Sequence, residues 1–312
     1  MPAQNRLAQV LAIRQRAGRK RRPSQWDLEH LQKVWEEQLV DIDPADELVP
    51  IRIVTLLEAF LRAWVETLVD HGAPYVERAA NLKVDLKFDF AIAASVQGGI
   101  VTLGQLISHS IPLSRMDVIA SVFEKLLEQD LFEAIAGAVD QREREREGNA
   151  AKPIIQDVAA LRSTLGRLFE VRHVLVHEFP EKKPHQVEEV SGFFRAAVQF
   201  VAAVDEELTD RVHERWPSTQ QGMNREAARR AQVAAEELQM LCVEVASTQK
   251  DDTIHTVQES WELFKDAEAK RQADWSAGGT IRPMLYHLAA ESLTRARMKE
   301  LQEWLDEYPK EW

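Results

Sequence analysis

Residues 49–72 read VPIRIVTLLEAFLRAWVETLVDHG, and the spacing of the apolar side chains in this stretch decides the fold class. Ile51, Ile53, Val54, Leu57, Phe60, Leu61, Trp64 and Leu68 recur at the spacing that lines one face of an α-helix. Val49-Pro50 reads as the helix entry, because proline is tolerated in a first turn, and His71-Gly72 reads as its end. The same period returns downstream. Ile154, Ile155, Val158, Leu161, Leu165, Leu168 and Phe169 follow an opening at Lys152-Pro153, and this helix should stop before Pro180. Phe193, Phe194, Val198, Phe200, Val201, Val204 and Leu208 mark another helix over 186–214. Shorter helices are expected over 101–110, 114–127 and 128–139, separated by Pro112 and Gln129-Asp130. In 81–96, Leu82, Val84, Leu86, Phe88 and Phe90 alternate. With no partner strand evident, this reads as a loop running into a buried helix. Residues 141–148 (QREREREG) read as a solvated helix tail and a loop.

Trp216-Pro217-Ser218 is the best boundary. Beyond it, helical patterns cover 219–248, 252–275 and 283–307, the last two broken by the stretch from Ser276 to Pro283. The expected organisation is all-α: a basic N-terminal helical extension (1–44), a larger bundle (45–216) and a small three-helix module (217–312).

Composition agrees. Of 312 residues, 45% are hydrophobic, while glycine and proline number only 12 each, which favours helix over sheet. No apolar run reaches the roughly 18 residues of a membrane span, so no membrane partner is expected. The N-terminus is polar and lacks the apolar segment of a secretory signal. The single cysteine, Cys242, excludes an internal disulfide and a cysteine-based zinc site. A cytoplasmic location is the expectation. The net charge is −12, yet residues 1–22 carry seven Arg or Lys and no acid. Such an arm can pair with phosphates, fray as a solvated end helix, or serve as a transit peptide.

One constellation carries chemistry. Arg172-His173-Val174-Leu175-Val176-His177 places an arginine and two histidines within six residues. His173 and His177, four apart, share a helical face. Arg172 and His177, five apart, are offset by about 140°. They converge only if the arginine wraps around or the helix loosens near Pro180. The residue types suit RNA cleavage without metal or cofactor. An imidazole titrating near neutrality can take a proton from a ribose 2′-hydroxyl, and a guanidinium can hold phosphate and offset charge in the transition state. The other histidines (His71, His109, His185, His213, His255 and His287) are scattered and read as surface or packing residues, His109 being the exception to watch because of the stretch around it, 104–113.

The run Leu168-Phe-Glu-Val-Arg-His-Val-Leu-Val-His-Glu178 resembles the HEPN superfamily motif of arginine, a polar residue, an apolar-rich stretch and histidine. Leu57-Glu-Ala-Phe-Leu61, Leu86-Lys-Phe-Asp-Phe-Ala91 and Gly104-Gln-Leu-Ile-Ser-His-Ser-Ile-Pro-Leu113 are similar to stretches of its anticodon-nuclease-related subfamily, so the likeness spans roughly residues 45–210. The resemblance implies a HEPN-type helical bundle acting as an endoribonuclease, a toxin or phage-defence effector. Arg172 would position phosphate, His177 would be the general acid/base, and His173 would assist. It also implies RNA as partner, a homodimer whose two motifs face one groove, and room for an antitoxin or regulatory protein. Where some HEPN toxins carry a tyrosine that a partner modifies, this chain has Phe179, which has no hydroxyl.

In the C-terminal part, Trp261-Glu-Leu-Phe-Lys-Asp-Ala-Glu268, Gly278-Gly-Thr-Ile-Arg-Pro283 and Leu293-Thr-Arg-Ala-Arg-Met-Lys-Glu-Leu301 resemble the lysozyme-inhibitor LprI-like family, with Met223-Asn224 at the start of the module. Trp261 and Phe264 are expected in its core, Gly278-Gly279 at a turn, and Arg297 paired with an acid such as Asp266. The bridging cysteines usual in exported relatives are missing, with Ala269 at one such place. This fits a version that does not meet an oxidising compartment. Two other functions compete with the nuclease: a non-catalytic HEPN scaffold that binds nucleotide or a partner, and an intracellular LprI-like interaction protein.

Overall fold

The computed structural model describes residues 3–16, 22–84, 89–178, 180–213, 215–249 and 253–307. Among them every regular element is helical, so the fold is all-α. The chain divides into two compact units, Met1–Glu214 and Arg215–Trp312.

The first unit contains α1 (Ala3–Arg16), α2 (Gln25–Val34, running on through a π-turn at Trp35–Leu39), α3 (Ala45–His71), α4 (Tyr75–Ala79), α5 (Phe90–Gln97), α6 (Leu103–Ser108), α7 (Met116–Leu127), α8 (Leu131–Ile135), α9 (Gln141–Glu147), α10 (Val158–His177) and α11 (Val187–Val212). Its centre is α3, packed on α6, α10 and α11. Phe60 and Trp64 of α3, Leu165 and Leu168 of α10, and Phe193, Phe194 and Phe200 of α11 are all buried. Leu28 and Trp35 join the same core, so the segment read as an N-terminal extension supplies part of the bundle. Arg22, counted above with the basic arm, is packed: its guanidinium lies 3.8 Å over the Trp64 ring and bonds Asp205 at 2.9 Å. The side chains of Arg14, Arg16, Arg19, Lys20 and Arg21, with Phe179 and residues 85–88, lie outside the described residues.

Two helix starts differ from the reading of prolines and a third helix differs in burial, each for a local reason. First, α3 begins at Ala45, not at Pro50, so Pro50 sits in its second turn. Proline lacks the N–H that would bond the Asp46 carbonyl four residues back. That carbonyl is satisfied from outside: His185, 3% exposed, donates to it through Nε2 at 3.0 Å. Because a carbonyl only accepts, the ring must carry its proton on Nε2. Second, Pro153 does not open α10. Asp157 does, its carboxylate accepting from the Ala160 N–H as an N-cap. Third, α5 is short and largely exposed, with Phe90 outward and only Ile92 buried, so it is not the buried helix expected there. α6 docks closely on α3 through Gly104, where a Cβ would come within 2.5 Å of the Glu66 carbonyl oxygen.

The second unit is α12 (Gln220–Gln249), α13 (Thr253–Ala273) and α14 (Arg282–Glu307), within two residues of the three expected helices. Leu238, Leu241, Cys242, Val245, Leu301 and Leu305 form its core, with Trp261 packed against it. Phe264 is exposed, contrary to expectation. Asp266 pairs with Lys265 and accepts from Tyr286, whereas Arg297 pairs with Glu300. Gly278 makes the turn at φ +81°. The buried polar feature is Glu291, held by Arg230 at 3.0 and 3.2 Å and by Arg295 at 2.9 Å. Burial pushes its carboxyl up, but the two guanidinium groups outweigh this and hold it below the ordinary range.

Candidate functional site

The candidate residues sit on the last turns of α10. Upstream, Leu161, Leu165, Leu168, Phe169 and Val171 face the core. From Arg172 onward the helix emerges: Arg172 is half-buried, and His173, Val176 and His177 are exposed. The helix ends at His177, ahead of Pro180 as the proline rule requires.

Geometry brings some of these side chains together. The His173 and His177 rings lie 4.9 Å apart between centroids, as their shared face dictates. Arg172 does not wrap around to His177. It turns inward to α3, where Nη2 meets Glu58 Oε1 at 3.5 Å. Burial pushes the Glu58 carboxyl above its ordinary range, opposed in part by Arg172 and Arg62. Arg62 is itself fixed by donating to the Ser108 carbonyl at the end of α6. Glu58 lies within the first quoted stretch but was not singled out there. Its signal is that it is the only charged residue between Arg52 and Arg62 in an otherwise apolar and small run.

The chain after His177 is tied down on both sides. Lys183 bonds Asp43 at 2.7 Å and Asp46 at 3.0 Å, and these two carboxylates hold its ammonium above its ordinary value. Arg167 on α10 donates to the Pro184 carbonyl and pairs with Glu189 at 3.2 Å. His185 closes on Asp46 as described. None of these anchors was legible as such, because each pairs residues far apart in sequence. The surroundings are of mixed charge. Glu170, Glu178 and Glu181 are exposed near the cations, so the site is a local constellation and not a basic patch. No group of three potential ligands is placed to hold a metal ion among the described residues.

By fold and site, the chain belongs to the class of all-α proteins built from a large helical bundle and a separate three-helix module. The family model of the lysozyme inhibitor LprI matches residues 214–301, so the second unit is similar to that family. No curated protein and no solved structure matches the chain. The HEPN resemblance of the first unit rests on its sequence stretches alone.

Proposed function

We propose that the first unit is a metal-independent endoribonuclease of the HEPN type. What supports this is the end of α10, where two imidazoles 4.9 Å apart stand exposed and the adjoining residue, Arg172, is held inward by Glu58. In this reading His177 takes the proton of a ribose 2′-hydroxyl. The 2′-oxygen attacks the adjacent phosphorus, the bond to the 5′-oxygen breaks, and His173, entering as the imidazolium, gives its proton to that leaving oxygen. Arg172 exchanges its long contact to Glu58 for the phosphate, whose charge a guanidinium fork fits well. The products are a cyclic phosphate and a free 5′-hydroxyl.

A second copy completes the site. Ile42, Leu48 and Val176 are exposed apolar residues, the first two beside the aspartates that hold Lys183 and the third adjacent to His177. Burying them against a twofold-related copy would remove apolar surface from water and set two motifs around one groove. The cytoplasmic setting, and a toxin or defence role checked by an antitoxin or regulatory protein, belong to the same proposal. Purified protein should cut RNA in the presence of EDTA and leave DNA intact. Failure to cut any RNA, with the helical spectrum intact, would favour a non-catalytic scaffold.

For the second unit, the LprI match supports a protein-binding role. Met240 and Val243 on α12, and Val257, Leu263 and Phe264 on α13, are exposed apolar side chains that a partner protein would cover. Pull-down with a defined lysozyme tests the role that the family's name gives to its members.

A further inference from the structure

The N-terminal end of α7 and the middle of α10 flank an open cavity of about 360 Å³, within the size range of small-ligand pockets. His173 stands at its edge, one helical turn from His177, so a ligand in the cavity adjoins whatever the two imidazoles hold. Phe169, nearly buried, and Met116 give it apolar walls. Gly166 opens it from the α10 side. A Cβ there would meet nothing within 4 Å, so packing does not demand glycine at this helix-interior position, where glycine weakens a helix.

The polar groups are selective. Glu170 engages Arg167 through Oε2 at 3.3 Å. Arg115 spends Nε and one terminal nitrogen on Asp117, at 3.0 and 2.6 Å, and a guanidinium has five N–H donors in all. With both carboxylates paired to arginines, the lining has no surplus positive charge to hold a phosphate, so the cavity suits an uncharged flat ring with donors on its edge. Guanine alone among the four RNA bases offers two adjacent N–H donors, N1–H and N2–H, to one carboxylate, with an acceptor, O6, next to them. Adenine and cytosine offer one amino group, and uracil one imino hydrogen.

We propose that this cavity is a guanine subsite, with Glu170 accepting from N1–H and N2–H, Arg115 donating to O6, and the ring against Phe169 and Met116. Its link to cleavage rests on the ribonuclease reading above, and it places the cut bond beside a guanosine. The test titrates the full chain with the 5′-monophosphates of guanosine, adenosine, cytidine and uridine by calorimetry, and in parallel maps cut sites on a mixed-sequence RNA. The guanosine nucleotide should bind roughly ten- to a hundredfold more tightly than the others. Glu170→Ala should abolish the preference. Gly166→Leu should fill the cavity and abolish binding while α10 stays helical. Selective binding lost in Glu170→Ala, without any RNA cleavage, would uphold the subsite and sink the nuclease. Cleavage to cyclic phosphates with no guanine bias would do the reverse. Equal binding of all four nucleotides, or a preference indifferent to Glu170→Ala, overturns the proposal.

Discussion

At the scale of single residues, the proposed chemistry depends on a guanidinium held for use. Arg172 faces a half-buried carboxylate at 3.5 Å, a long contact that phosphate oxygens can outcompete. Lysine at this position would keep the charge but lose the planar fork. Arg172→Lys is therefore expected to lower the rate of RNA cleavage by on the order of tenfold or more, with thermal stability little changed. Equal rates in single-turnover assays would show that Arg172 is only a partner for Glu58. The pairing of His173 with His177 was readable from their spacing, because helical geometry alone fixes it. The inward turn of Arg172 was not, because it depends on where α3 places Glu58. The Pro184 and Asp46 carbonyls, the acceptors of Arg167 and His185, belong to the backbone and leave no residue-type signal at all.

At the scale of elements, Pro50 and His185 act as one unit. A proline in the second turn of α3 orphans the Asp46 carbonyl, and a histidine far along the chain supplies the missing donor. His185→Ala should cost about 1–3 kcal/mol, the usual penalty for an unsatisfied buried acceptor. In a Pro50→Ala background the helix regains its own N–H at that carbonyl, and the same substitution should cost at most half as much. A double-mutant cycle by urea denaturation measures this coupling, and additive costs would dismiss it. The long apolar periods of α3, α10 and α11 were legible because burial writes them into the sequence. The starts of α3 and α10 are not legible from their prolines, because an aspartate cap opens α10 and a backbone repair lets α3 run through Pro50. In the second unit, the depressed Glu291 carboxyl makes α12 and α14 acid-sensitive. Its stabilisation is present above the ordinary Glu range, near pH ~4.3, and is lost as pH falls through the lower folded-state value. Glu291→Gln should weaken amide protection in α14 at neutral pH by ~1 kcal/mol, since it removes the charge that two partly exposed arginines hold. It should also flatten the loss of protection on acidification. Hydrogen exchange on the full chain at neutral and acidic pH reads both, and an unchanged acid profile would remove Glu291 from the account.

At the scale of the whole molecule, two compact units of different character share one chain. The second matches a known family along most of its length, and its three helices followed from periodicity and the glycine turn. The first carries the residues with chemical promise. If its active groove needs two copies, the full chain should sediment as a dimer, and Val176→Glu, placed in the exposed apolar rim, should yield a folded monomer that has lost most of its activity. A monomeric wild-type chain that cuts RNA would show that one copy suffices.

The central claim is that His177 performs acid/base chemistry on RNA. The most direct measurement incubates purified full-length protein and His177→Ala with RNA in EDTA and identifies the new termini by mass spectrometry. Cyclic phosphate and 5′-hydroxyl ends are expected from the wild type, with a loss of about a hundredfold or more in the variant and matching helical spectra for both. Undiminished cleavage by a well-folded His177→Ala protein, or 5′-phosphate ends, would contradict the claim.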